Sequence, residues 1–392
     1  MPDAAQAGRV EETYNADFQY GHYSESDQRI AVDIYETALS APIGKAMTAS
    51  VNLVRDTISG ASPVYNQKLA NGDIKQIISG ASPRSECGES VCEQRDAVSA
   101  GLSYFFDRSM VNVGGGFSRE HDYVSRYLNT NLSVDFNNKL TTLNAGLAYA
   151  FDEIEPSPSP WNSQPLGFKR SKTGRQFLLG ATQVIDKDSL LLSNVTFAYN
   201  TGYLSDPYKV VAFYDADNPF LFNGVLYANA IKSDKRPEEK FQWAWLTQYV
   251  RHFAAFNDAA LHVDYRLSTD DWGVTAHTAE LSWHQPIAAG WQVVPRFRYY
   301  SQNQADFYQA VGTDSQATYY SSDYRLGGFG ALSGGVRLSK TFTGLKAFEQ
   351  LKVSTGFEYY DHSAAYQLDG NGSGAFADFN YCLVTASFNL KF

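Results

Sequence analysis

The carboxy-terminal stretch "VTASFNLKF", Val384–Phe392, alternates strictly between apolar and polar residues. Its apolar residues occupy the even positions and its polar residues the odd positions, which is typical of a β-strand with one apolar face. The same alternation recurs in "MTASVNL" from Met47 and in "LHVDYRL" from Leu261. A period of two that repeats along the chain predicts an all-β protein.

The composition narrows the class of all-β protein. Aromatic residues make up 15% of the 392 residues and charged residues only 19%, yet the mean hydropathy is −0.34. Soluble proteins usually carry about 25% charged residues. No run approaches the roughly 18 apolar residues that a transmembrane helix needs. Two classes therefore remain, a soluble all-β protein and a transmembrane β-barrel.

The last residue favours the barrel. A terminal aromatic residue has no special role in a soluble sandwich, whereas Phe392 resembles the recognition signal of bacterial outer-membrane barrels. We therefore expect outer-membrane lipids around the barrel and the barrel-assembly machinery at Phe392. The first residues, "MPDAAQAG", show no charged and apolar export signal. We interpret "PDAAQAG" as the start of a mature, exported chain behind an added Met.

The alternation can be divided into about sixteen antiparallel strands, an even number that returns an up-and-down meander to its starting side. We predict a periplasmic segment over residues 1–15, a barrel over 16–392, short periplasmic turns, and long extracellular loops near 58–92, 153–173, 204–239, 305–322 and 365–377. The predicted strands are 16–25, 29–41, 45–57, 93–106, 110–120, 123–136, 140–152, 174–185, 189–203, 240–253, 259–270, 273–286, 291–304, 323–341, 350–364 and 378–392.

Charge and motif content exclude several functions. The net charge of −10 disfavours a nucleic-acid partner, because such partners are held by phosphate contacts with basic residues. No nucleophile motif such as G-x-S-x-G accompanies a His and an acid, so we predict that the protein is not an enzyme. The seven histidines form no pair with metal-ligand spacing, and we expect no cofactor.

Two cysteines lie five positions apart in the first long loop. Cys87 and Cys92, in "CGESVC", would meet an oxidising compartment after export, where a pair at this spacing closes a small disulfide ring. A metal or redox site and two unpaired thiols are the alternatives. Cys382 lies an even number of residues before Phe388 and Phe392, so its side chain is expected on the same, lipid-facing side of the strand. We expect its thiol to be unpaired.

Two further loop motifs have ordinary explanations. The hexapeptide ISGASP occurs at Ile58 and again at Ile78, and its Ser-Gly and Ser-Pro pairs predict two equivalent turns at the rim. "DGNGSG" resembles the opening of a calcium loop through Asp369, Asn371 and Ser373, but the twelfth position is not Glu. A flexible hairpin tip is the better interpretation, with Ca²⁺ binding as the alternative.

Charged residues of both signs are predicted to line the lumen. They share the polar faces of three neighbouring strands: His262, Asp264, Arg266, Glu280, Arg296 and Arg298. A polar lumen is the rule in outer-membrane barrels. The set predicts either a selectivity lining or a salt-bridged plug.

The chain resembles an uncharacterised family of predicted Gram-negative outer-membrane barrels, known as a domain of unknown function. The resemblance rests on "DTISGASP", "GYLSDPYKVV", "KRPEEK", "DYRLSTDDWGVTAHTAEL" and "RFRYYSQNQADFYQA". It implies an outer-membrane barrel with no assigned activity, and a small lipoprotein or a periplasmic redox protein as a partner. Residues of these motifs are expected to gather at the extracellular rim, where they fix loops or bind a ligand: Asp206, Tyr208, Arg236, Asp270, Asp271, Trp272, Gln302, Asp306 and Tyr308.

Two functions follow from these observations. One is a porin-like channel for passive diffusion of small solutes, with the mixed charges as its constriction. The other is a plugged barrel that serves as a scaffold or anchor for the lipoprotein or redox partner.

Overall fold

A closed barrel of sixteen antiparallel strands forms the body of the protein, as the alternation predicts. The computed structural model describes residues 13–26, 29–60, 62–71, 73–79, 91–157, 167–223, 225–370 and 378–392. Strands pair with their neighbours along the chain, and the last strand pairs with the first. Among these residues, no helix is long and apolar enough to cross a membrane.

The strand boundaries follow the sequence pattern closely, with one exception. The predicted strand 323–341 begins only at Phe329, because the Asp323 side chain accepts a hydrogen bond from the Arg325 amide and a 3-10 turn occupies Tyr324–Leu326. The barrel strands are β1 Asn15–Glu25, β2 Ile30–Ile43, β3 Met47–Gly60, β6 Val91–Phe105, β7 Ser109–Arg119, β8 Tyr123–Phe136, β9 Thr141–Ile154, β10 Arg170–Asp186, β11 Ser189–Gly202, β16 Glu239–Phe253, β17 Ala259–Asp270, β18 Thr275–Pro286, β19 Trp291–Gln302, β20 Phe329–Thr343, β21 Gln350–Ser363 and β22 Phe379–Lys391.

The seam between β1 and β22 shows how the two faces of the barrel differ. On the outer face, Phe18 stacks on Phe388 with ring centroids 5.4 Å apart. On the inner face, the Asn389 amide donates to Asp17 at 2.6 Å. The alternation in the last strand therefore places Val384, Ala386 and Phe388 outside and the residues between them inside.

The outer surface is apolar over the height of the strands. Large side chains are exposed there on many strands, including Leu128 at 69%, Leu147 at 56% and Phe297 at 52%. A soluble monomer rarely exposes contiguous apolar patches larger than a few hundred Å². Such a surface is stable in lipid, where closure of the barrel also pairs every strand edge.

The two ends of the barrel carry different connections. At one end the turns are short and use residues that tolerate a left-handed backbone, such as Gly44 at φ 63° and Asn257 at φ 56°. At the other end, three long connections pack together, and we call their described residues the cap: 62–71, 73–79, 203–223, 225–238 and 303–328. They contain short strands that the sequence pattern missed: β4 Ser62–Lys68, β5 Ile74–Ser79, β12 Val210–Phe213, β13 Phe220–Phe222, β14 Val225–Tyr227 and β15 Ala230–Ser233.

Contacts between distant parts of the chain join the three segments of the cap. The Asn66 amide donates to the Ala310 carbonyl at 2.9 Å, and the Lys68 amide donates to the Tyr214 hydroxyl at 3.0 Å. The cap also enters the mouth of the barrel. The ring of Tyr324 lies 6.0 Å from His362 and 5.8 Å from Phe379, both on the inner face.

The loop motifs are described only in part. The first ISGASP copy pairs with the second through Ser62 with Ser79 and Pro63 with Ile78. Residues 80–83 lie outside the described residues, so the prediction of equivalent turns stays a prediction. Cys87, the Cys92 side chain, Asn371 and Ser373 also lie outside them, whereas Cys382 is a free cysteine.

Candidate functional site

One part of the inner wall carries the six charged residues that the sequence predicts for the lumen. Strand register aligns Asp264 with Glu280 and Glu280 with Arg298, so these three side chains project from the same face. Two residues further along each strand, the register aligns His262 with Ser282 and Ser282 with Arg296. The structure therefore brings the predicted set together on β17, β18 and β19.

The charges on this wall are only partly neutralised. Arg296 forms ion pairs with Glu358 and, at 3.8 Å, with Glu280. Asp264 accepts a hydrogen bond from Gln248 at 2.9 Å. Within the described part of the chain, Arg266, Arg298 and, on the neighbouring strand β20, Arg337 make no hydrogen bond or ion pair, and all three are exposed. These arginines leave an excess of positive charge on the wall.

The wall from β6 to β11 is uncharged along the middle of its strands, and its charged inward side chains lie toward the strand ends: Arg95, Asp135, Asp152 and Lys172. Its inner face carries glycines that lie beside asparagine side chains of the next strand, as in Gly114 with Asn129 and Gly146 with Asn131. A Cβ atom on Gly146 would lie 2.5 Å from Asn131 Oδ1. The missing Cβ atoms let the amides lie against the wall, so this side of the barrel projects little into the interior.

A buried ion cluster holds the cap together. Asp323 is fully buried and meets three cations, with Lys209 Nζ at 3.8 Å, Arg236 Nη2 at 2.9 Å and Arg325 Nε at 2.9 Å. Burial alone raises the pKa of Asp323, but the charges of Lys209, Arg325 and Arg236 outweigh it and hold the pKa well below its ordinary value. The carboxylate is therefore ionised at neutral pH and binds the loops that carry these cations.

The rim residues of the sequence motifs lie in or next to this cap. Asp270 accepts from the amides of Trp272 and Val274, and the Trp272 indole donates to the Glu239 carbonyl at 2.9 Å. Trp272 packs with Tyr308 in a small apolar core. Each contact fastens a loop to a strand end.

The remaining rim residues make contacts of the same kind. Asp271 accepts from the Phe241 amide at 3.0 Å, and Gln302 donates to the Arg325 and Gly327 carbonyls. The Asp306 amide donates to the Trp272 carbonyl at 2.9 Å. Further hydrogen bonds join Asp206 to Arg325, Arg236 to Asp234, and Tyr208 to Asp122.

A cavity of about 310 Å³ lies between the cap and the charged wall. Its lining combines arginines with aromatic rings, and Tyr360 and Tyr381 stack with centroids 4.5 Å apart. The cap contributes Arg325. The lining residues are Arg298, Tyr300, Gln302, Arg325, Phe329, Ala331, Ser333, Glu358, Tyr360 and Tyr381.

A second titratable group lies at the turn between β7 and β8. Burial, reinforced by the neighbouring Asp122 charge, raises the pKa of Glu120 to about 7. Glu93 adds to the shift and Arg95 opposes it. Among the described residues, no group of three or more His, Cys, Asp or Glu side chains has the geometry to hold a metal ion.

Several residues of these sites escaped the sequence reasoning. The alternation predicts a strand that includes Asp323 and Arg325, although the sequence Ser321-Ser322-Asp323 is a turn signal. Alternation places Glu358 and Tyr360 on the inner face of β21, but nothing in the sequence distinguishes them from the other residues of that face. No local pattern links Lys209, Asp234 and Asp323, because only the folded loops bring them together.

The closed strand order, the apolar outer surface and the long loops at one end define a β-barrel of the outer-membrane type. Within that class, the chain belongs to the family described as "Protein of unknown function (DUF3570)", whose model matches residues 1–383. The family resemblance seen in the sequence is therefore confirmed. No curated protein matches the chain.

Solved structures share the fold at low sequence identity. One is a "Bacterial polysaccharide outer membrane secretin", with 7% identity, a TM-score of 0.50, and coverage of 98% of this chain and 99% of that one. CdiB from Acinetobacter baumannii shows 9% identity and a TM-score of 0.50, covering 98% and 60%. OccD3 (OpdP) from Pseudomonas aeruginosa shows 9% identity and a TM-score of 0.47, covering 100% and 96%.

Proposed function

We propose that this protein is a channel for passive diffusion of small polar solutes across the outer membrane of a Gram-negative bacterium. The observation that carries the proposal is the unequal pair of inner walls. One wall holds Arg266, Arg298 and Arg337, which have no partner among the described residues, and the wall from β6 to β11 is lined by glycines and asparagines along the middle of its strands.

The unpaired arginines require water inside the barrel. An isolated charge in a dry interior costs several kcal/mol or more, so it is paired there or neutralised. The middle of the wall from β6 to β11, lined by glycines and asparagines, supplies few large side chains to fill the space. Barrels of sixteen strands are wide enough to leave an aqueous lumen.

The cap supports a second candidate, a plugged barrel that anchors a small lipoprotein or a periplasmic redox protein. Its buried ion cluster and its apolar core around Trp272 hold the cap together at the mouth. A barrel closed in this way would have a structural role and would act through a partner.

Conductance of the purified, full-length protein in planar bilayers separates the two candidates. A channel gives steady ohmic current, and Arg337→Glu shifts the reversal potential in a salt gradient toward cation selectivity. The control is Lys187→Glu, which makes the same charge reversal on a short turn where the side chain is 89% exposed. We expect this control to leave the selectivity unchanged.

Absence of current at all voltages would overturn the channel and favour the plugged barrel. Equal shifts in the two variants would also count against it, because the effect would then come from net charge and not from the lumen. Co-purification of a small lipoprotein with a silent barrel would support the second candidate directly.

A further inference from the structure

We propose that the cavity beneath the cap binds a small organic carboxylate with an aromatic or otherwise planar apolar body. This inference rests on the proposed channel function, since it names the solutes that the lumen would select. It is carried by the side chains that line the cavity and by the charges that they leave unmatched.

Arg298 supplies the first recognition element. It lines the cavity and has no hydrogen-bond or ion-pair partner within the described residues. A guanidinium presents its donors in a planar fork that matches the two oxygens of a carboxylate. Because no described residue uses these donors, a solute can take both at once.

The other charges of the lining do not cancel Arg298. Glu358 is the acidic side chain of the lining, and it is already paired with Arg296. Arg325 bonds to Asp323 through Nε and Nη2 and to Asp206 through Nη2, while its Nη1 makes no hydrogen bond with the described residues. The cavity therefore presents one guanidinium that no described residue pairs with and the Nη1 nitrogen of a second guanidinium, and it favours an anion.

The aromatic residues define the body of the ligand. Tyr360 and Tyr381 form a near-parallel stack with an interplanar angle of 15°, and Tyr300 packs against Phe329 with centroids 5.5 Å apart. Aromatic rings offer flat apolar surface with a preference for stacked or edge-on partners. Inorganic anions cannot use that surface, so the lining favours an organic acid. At about 310 Å³, the cavity lies at the lower end of small-molecule sites.

The test is equilibrium binding of benzoate to the purified full-length barrel in detergent, with benzyl alcohol and inorganic phosphate as comparison probes. Benzoate should bind at least tenfold more tightly than either. Arg298→Gln should raise its Kd about 10- to 100-fold, the loss expected for a charge-assisted hydrogen bond. Tyr360→Leu should weaken benzoate several-fold and leave phosphate unchanged, because only the aromatic contact is removed.

Arg337→Gln is the matched control. Arg337 is also exposed, unpaired among the described residues and on the inner face, but register places it opposite Val294, four residues from Arg298. Four residues of strand span roughly 13 Å, which exceeds the screening length of about 8 Å at physiological salt. We expect this control to change benzoate affinity by less than twofold.

The proposal is overturned if the wild type binds benzoate no better than benzyl alcohol, or if Arg298→Gln binds as tightly as the wild type. Equal affinity for phosphate and benzoate would also overturn it, because the aromatic lining would then play no part. Binding is measured without current, so the two proposals fail separately. A barrel that binds benzoate but never conducts refutes the channel alone, and one that conducts without binding refutes the site alone.

Discussion

Replacing Asp323 with asparagine should open the cap without affecting the barrel. Asparagine has nearly the same size and keeps an acceptor for the Arg325 amide, which lies 3.1 Å from Asp323 Oδ1. What the substitution removes is the negative charge that Lys209, Arg236 and Arg325 share. The perturbation is therefore electrostatic and confined to the cluster.

The magnitude follows from burial. Removing one partner of a buried ion pair costs about 3 to 5 kcal/mol. Lys209 and Arg236 are buried, but the Arg325 side chain is 57% exposed and can be solvated when its partner is lost. We therefore expect the lower value, about 3 kcal/mol, which corresponds to roughly a 100-fold increase in the opening equilibrium of the cap.

Hydrogen exchange read by mass spectrometry measures that opening. The amides of Ala305 and Tyr320 report on the cap, because they donate to the Leu326 and Lys235 carbonyls at 2.8 and 2.9 Å. Both should exchange roughly 100-fold faster in Asp323→Asn, while strands β8 and β9 keep their protection. The control is Asp314→Asn, an exposed residue of the same segment that accepts from the Gln316 amide. Unchanged exchange in Asp323→Asn, or an equal change in both variants, would refute the reasoning.

Four further outcomes are expected. The pKa of Asp323 is lower in the folded protein than in the unfolded chain, so its charge stabilises the cap fully above about pH 4 and progressively less as the pH falls below that value. Below about pH 4, hydrogen exchange of the cap amides, corrected for intrinsic rates, should therefore rise in the wild type but not in Asp323→Asn. The Glu120 carboxyl has a raised pKa, so its ionisation destabilises the folded turn as the pH rises from about 4 towards 7. The infrared carboxyl band that is lost in Glu120→Gln should titrate with a midpoint of about pH 7, and a midpoint of about pH 4 would contradict the prediction. Gly312→Ala should lower the free energy of opening the cap by about 1 to 3 kcal/mol, because the new Cβ meets the buried Phe213 ring. The control Gly334→Ala places its Cβ in open space and should leave hydrogen exchange of the cap unchanged. Spin labels at Phe388 and Asn389 should differ in their accessibility to an apolar relaxation agent, since one faces outward and the other inward; equal accessibility would place both on one face.

The strands were predictable because most of them repeat a two-residue period along their length. The start of β20 was not, because Asp323 and Arg325 stabilise a turn through a local hydrogen bond that competes with strand pairing. The short strands of the cap, such as β13 with three residues, are too brief for a period to show. Local pattern is therefore informative only where an element is long.

The lumen residues were predictable for the same reason, since alternate residues of a strand point to opposite faces of the barrel. The alternation does not reveal which charged side chains form ion pairs. Arg296 and Arg298 have the same sequence signal, yet one meets Glu358 two strands away and the other meets no partner among the described residues. The Asp323 cluster joins residues from two cap segments more than 80 positions apart. Such contacts depend on how loops pack, which no local pattern encodes.

The seam between β1 and β22 has a consequence for how the protein is made. Asp17 and Asn389 meet across it although 372 positions separate them in the chain. Joining ends that far apart costs about 5 kcal/mol in loop-closure entropy if the intervening chain is unstructured, and far less once the other hairpins have formed. Until the last strand arrives, both β1 and β21 present an unpaired edge that cannot be left in hydrocarbon. Biogenesis is therefore expected to be all-or-none: a chain truncated before Phe379 leaves two open edges, and its fate is degradation, not partial insertion.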